Sequence, residues 1–153
     1  MLNKIINKFI DNLLVLFKPN KNTKMIAIIL SSIMFIWSGI DKVSNFDKKV
    51  NTLVKKTSWP VWFSTFGMIL VILLEIVGFI ILVDYFSKSN ILTPVLSKIV
   101  DQEKLVKFIL LSLLGFIALV TIIYHPPGAG KMIPFLSNTT IFGLFLYVYA
   151  DMK

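Results

Sequence analysis

The sequence predicts an all-α membrane protein: a four-transmembrane-helix bundle preceded by an N-terminal amphipathic interfacial helix. Three observations predict it. First, 56% of the 153 residues are hydrophobic and 16% charged, with a mean hydropathy of +0.82, which is too apolar for an ordinary soluble domain. Second, residues 25–40, 57–74, 108–130 and 132–150 carry no charge if His125 is neutral. Crossing a hydrocarbon core of about 30 Å takes about 17–25 such residues at about 1.5 Å each. Third, all sixteen basic residues are Lys and all lie outside those runs. The net charge of +8 therefore reads as charge at a membrane surface. A soluble bundle needs a polar face on each helix, and residues 108–124 offer only Ser112 and Thr121.

Residues 1–20 form the first unit. Leu2, Ile5, Ile6, Phe9, Ile10, Leu13 and Leu14 recur at helical spacing opposite Asn3, Lys4, Asn7, Lys8 and Asp11, the pattern of a helix lying in the interface. Lys18-Pro19-Asn20-Lys21-Asn22 breaks it. Residues 21–153 form a single four-helix domain with spans at about 25–40, 60–83, 108–124 and 132–150. The first is short, so Lys24 and Lys42 snorkel to reach the interfaces. Val43, Phe46, Val50, Leu53 and Val54 oppose Lys48, Lys49, Lys55 and Lys56, predicting a short helix on the membrane surface. Pro60 suits the first turn of the second span. Asp84 to Lys107 is the longest connection, with a short amphipathic turn near Thr93-Pro94. Pro126, Pro127, Gly128 and Gly130 make a tight hairpin of the last two spans.

With the N-terminus inside, ten lysines fall on the inner side and six on the outer. The positive-inside rule then places both termini in the cytoplasm. Trp37, Trp59, Trp62 and Tyr124 mark the outer interface, and Tyr85, Tyr147 and Tyr149 the inner one.

With no Cys and one His, the chain has no thiol chemistry, no iron–sulfur ligation and no metal site expected. Motifs for catalysis, phosphate binding or dinucleotide binding are missing, so no catalytic residue is assigned and the chain is not expected to be an enzyme alone. The lysines are dispersed and carry no nucleic-acid-binding motif, which sets nucleic acid aside.

Glu75 is the ionisable residue inside a span, expensive there and a site candidate by default. No Lys is expected at its depth, so it is read as a neutral acid turned toward the first span, with Ser31 or Ser32 as partner. A purely structural hydrogen bond is the equal alternative. Asp41, Lys42 and His125 end their helices on one side and are read as ligand or proton candidates sharing an outer polar site. A surface charge pair and a helix C-terminal cation are the plainer readings of the same residues. Asn138, Thr139 and Thr140 are read as structural contacts to a neighbouring helix.

Four markers in this order resemble the DoxX family of small four-helix membrane proteins over roughly residues 25–149. They are Ser38-Gly39-Ile40-Asp41-Lys42, an amphipathic segment leading to Pro60, Leu74-Glu75-Ile76-Val77-Gly78, and Tyr124-His125 before a helix containing Gly143. The chain departs from the family in having Lys21 and Lys24 where Arg is often found. It also departs in its N-terminal helix and its long Asp84 to Lys107 connection. The resemblance implies a membrane protein, in some cases tied to quinone-linked sulfur or thiol oxidation and in distant relatives to receptor assembly. Two functions follow as expectations: a non-catalytic accessory or assembly factor working with a membrane-protein partner or a second copy, or a quinone-linked oxidoreductase subunit. Quinone is then the one cofactor class implied, with Glu75 or His125 toward its carbonyl. A proton-coupled transporter needs further intramembrane ionisable groups or an inverted repeat, and neither is visible.

Overall fold

The computed structural model describes residues 2–16, 21–89, 91–128 and 130–152. The described residues are mostly helical, without strands, and four helices are long and apolar enough to cross a membrane: Thr23–Ser44, Val61–Ser87, Gln102–Tyr124 and Met132–Asp151. The chain is thus a multi-pass membrane protein built as a four-helix bundle.

The amphipathic start is helix α1, Leu2–Leu16, whose Ile5, Ile6, Phe9 and Ile10 are all exposed. Most of the predicted break, residues 18–20, lies outside the described residues. Lys21 and Asn22 are already helical, because α2 spans Lys21–Ser44. Helix α3, Phe46–Thr57, follows after a single intervening residue. Asn45 leaves helical geometry (φ −121°, ψ 36°). Its N–H still donates to the Asp41 carbonyl at 3.0 Å, and its carbonyl still accepts from Lys49 N–H at 3.0 Å. Ser58, in the left-handed region at φ 58°, caps α3, and Trp59-Pro60 turns the chain into α4, Val61–Leu73.

A π-helical turn at Leu74–Gly78 joins α4 to α5, Phe79–Ser87, so the second span is one helix with a widened turn in it. It runs past the expected end near residue 83. Asp84 is therefore a helical residue, buried at 6% exposure, and not the start of the connection. Its carboxylate accepts from the Ser89 hydroxyl and from Ile91 N–H (3.0 Å) and Leu92 N–H (3.2 Å), folding the connection back onto the helix end. The short α6, Thr93–Leu96, precedes α7, Gln102–Tyr124, which starts earlier than residue 108 because Asp101 Oδ1 caps it by accepting from Lys104 N–H at 3.0 Å. Helix α8, Met132–Asp151, closes the bundle against α7.

Phe35 of α2, Phe79 of α5 and Phe145 of α8 meet at the centre. The first two rings stack at 4.7 Å, and Phe145 lies 5.9 and 5.8 Å from them. Val106, Ile109, Leu110, Leu113 and Ile117 supply the α7 side of this core. An ion pair between Lys24 and Asp151 ties the start of α2 to the end of α8.

The α3 helix does not lie flat on a membrane surface as expected. Lys42 touches Glu75 while Ser58-Trp59-Pro60 closes the other end, and α3 packs on α4 between these points. The two arms, roughly 24 Å from Lys42 to Ser58 and roughly 21 Å from Val61 to Glu75 by helical rise, therefore stand antiparallel. The apolar face of α3, with Val50 buried, serves this hairpin.

Candidate functional site

The polar cluster within the spans is assembled where α2 meets the π turn. Glu75, with 1% of its surface exposed, receives Lys42 Nζ at 2.8 Å on both carboxylate oxygens. Ser38 Oγ donates to Glu75 Oε1 at 3.2 Å, and Lys42 Nζ also reaches Ser38 Oγ at 2.6 Å. Residues 38 and 42 are one helical turn apart and so share a face, which is why both reach a single acid.

Close approach of backbones makes this geometry. A Cβ on Gly39 would sit 2.7 Å from Ile76 Cγ1 and 3.3 Å from Glu75 Cβ. Gly78, on the far side of the same turn, would place its Cβ 3.3 Å from Ile109 Cγ2 of α7. The two glycines let the widened turn lie between α2 and α7. π turns recur at functional positions in helices, and here the turn carries the buried acid.

Several sequence expectations change. Glu75 faces α2, but its partners are Ser38 and Lys42, and it sits as half of an ion pair. Ser32 Oγ donates to the Ile28 carbonyl of its own helix at 2.6 Å, and Ser31 makes no hydrogen bond to Glu75. Asp41, Lys42 and His125 do not form one site. The Asp41 carboxylate pairs with Lys49 and accepts from Asn45 Nδ2 at 2.8 Å, Lys42 is held by Glu75, and the half-buried His125 lies beside Tyr124 with ring centroids 6.4 Å apart. Thr139 and Thr140 donate to the Phe135 and Leu136 carbonyls of their own helix, and Asn138 Nδ2 is buried without a hydrogen-bond partner in the protein. No group of three His, Cys, Asp or Glu among the described residues is arranged for a metal ion.

Ser38 enters the sequence analysis only within the Ser38–Lys42 marker and not as a partner of Glu75, although it stands one turn before Lys42. Trp37 leaves the proposed outer belt: it lies on the Phe35 side of Lys42, about 8 Å away along α2. Trp59, Trp62 and Tyr124 remain together at one end, where Lys56 Nζ lies 4.8 Å from the Tyr124 ring centroid.

Comparison with protein-family models, curated proteins and solved structures gives no match.

Proposed function

We propose that the chain is a non-catalytic accessory or assembly protein of a membrane complex, of DoxX-like type, with both termini in the cytoplasm. The observation that supports this most is the face of α8. Only 11% of its spanning window is buried, and Leu136, Ser137, Thr139, Thr140, Gly143 and Leu146 are exposed along it. Small and hydroxyl side chains let membrane helices approach closely, so this face suits a partner span better than acyl chains. The buried Lys42–Glu75–Ser38 cluster is satisfied internally and acts in this reading as the clasp that holds α2 to the second span.

A quinone-linked subunit is the second reading, and the π turn around Glu75 is what favours it. A quinone carbonyl does not fit at Glu75 as it stands, because Lys42 and Ser38 occupy both carboxylate oxygens. The experiment is purification of the full chain in mild detergent, with mass spectrometry of co-purifying proteins and quinone. A stoichiometric membrane-protein partner lost in Thr140→Leu/Gly143→Leu, with helicity unchanged, supports the accessory role. Stoichiometric quinone that is lost in Glu75→Gln overturns it.

A further inference from the structure

The α2–α3–α4 hairpin sets the depth of α3, and that depth has a consequence for lipid. Helices α4 and α5 with their π turn span Val61–Ser87, 27 residues, about 40 Å by helical rise, against about 30 Å of hydrocarbon. Because α3 stands beside α4, its exposed side chains descend from the level of Trp59 and Trp62 toward that of Glu75.

Those side chains are hydrophilic. Lys48, Asn51 and Lys55 are exposed and Thr52 half-buried, at spacings of three, four and seven that put them on one stripe, with exposed Lys56 beside it. Lys42 and Lys49 are used by Glu75 and Asp41. Lys48, Lys55 and Lys56 are left with Asp47, in the first turn of α3, as the opposing acid.

Lys48 and Lys55 are separated by about 10 Å along the helix, while one headgroup layer is only about 5–7 Å thick. When Lys55 and Lys56 are level with the headgroups, Lys48 lies below them. A cation held at that depth is stabilised by drawing phosphate and water inward and thinning the leaflet locally.

We propose that this face of α3 is a phospholipid-headgroup site that takes anionic lipid phosphates on Lys48, Lys55 and Lys56 and pulls them below the level of Trp59 and Trp62. The net positive charge selects anionic over zwitterionic lipid. A lipid is favoured over an acidic protein because α3 is joined at both ends to spanning helices and cannot leave the boundary.

The protein carries its own reporters, since its three tryptophans, Trp37, Trp59 and Trp62, all lie on this hairpin. The full chain is reconstituted in vesicles of phosphatidylglycerol and phosphatidylcholine in which only one of the two has brominated chains, and tryptophan quenching is read. Brominated phosphatidylglycerol is expected to quench at least about twofold more than brominated phosphatidylcholine at equal fraction. The excess disappears in Lys48→Gln/Lys55→Gln/Lys56→Gln and persists in Lys98→Gln/Lys104→Gln. Lys48→Gln/Lys55→Gln, which keeps Lys56 on Tyr124, loses most of it and covers any folding defect of the triple variant. Equal quenching by the two lipids in the native chain overturns the proposal, as does an excess that survives the triple variant.

Discussion

Lys42 and Glu75 differ in what their loss costs. The Glu75 side chain is 2% exposed and that of Lys42 17%. Without Glu75, the lysine stem swings its ammonium toward the interface. Without Lys42, the carboxylate has no such route, and an uncompensated buried charge costs about 3–5 kcal/mol. Lys42→Met is therefore expected to lower the thermal midpoint in detergent more than Glu75→Gln does. Lys42→Met/Glu75→Leu should recover most of the loss, because replacing a whole buried pair with apolar groups is close to neutral. Equal losses in the two single variants would refute the asymmetry. Ser64 gives a prediction of opposite sign: it is 0% exposed and its hydroxyl has no hydrogen-bond partner in the protein. Ser64→Ala should leave stability unchanged or raise it by up to about 1 kcal/mol, read as the midpoint of denaturant unfolding. The acid's burial in the bundle was legible at this scale, since a carboxylate between Leu74 and Ile76 has few alternatives to the bundle interior. Its partner was not legible. Depth counted from the open ends of two helices accumulates the error of both boundaries and of their relative tilt, whereas counting from the closed end at Ser58–Pro60 puts residue 42 opposite residue 75.

Helix α3 shows how one pattern serves two placements. Apolar residues at Phe46, Val50, Leu53 and Val54 opposite lysines fit a helix on a bilayer surface and equally a helix leaning on α4. Only the contact at the far end of the hairpin decides between them. The four spans were legible because long uncharged runs admit few other structures, and the α7 boundary shifted because Asp101 as a cap adds polar turns that hydropathy does not count. The α2–π-turn contact depends on Gly39. Gly39→Ala should force Ile76 and the turn away from α2, with an overpacking cost of about 1–3 kcal/mol, whereas Gly143→Ala, where nothing lies within 4 Å of the added Cβ, should be near neutral. The difference between their thermal midpoints measures the close approach. If Gly39→Ala is as stable as Gly143→Ala, the helices are not in contact there.

Across the whole molecule, only 11–33% of the apolar stretch of each span is buried inside the protein, so most of their surroundings lie outside the chain, in lipid or in a partner span. Association of helices in lipid draws on packing rather than on exclusion of water, which gives the three-phenylalanine centre its weight. The absence of Cys makes the orientation directly measurable. A single Cys introduced at Lys55, exposed and level with the headgroups, is expected to react with an impermeant maleimide added outside intact cells, and one at Lys98 only after permeabilisation. The reverse pattern inverts the topology. The Lys42–Glu75 pair also bears on how the chain is made. Lys42 leaves the ribosome 33 residues before Glu75, about 2–7 s earlier at ordinary synthesis rates. During that interval the lysine has no counter-charge in the membrane and stays at the aqueous boundary, stem outward. Its neutralising acid arrives inside the second span, so the first span reaches its final depth only when the second enters beside it. The unit of membrane insertion is then the hairpin, and a nascent chain halted before Glu75 should leave its first span shallower than in the finished protein.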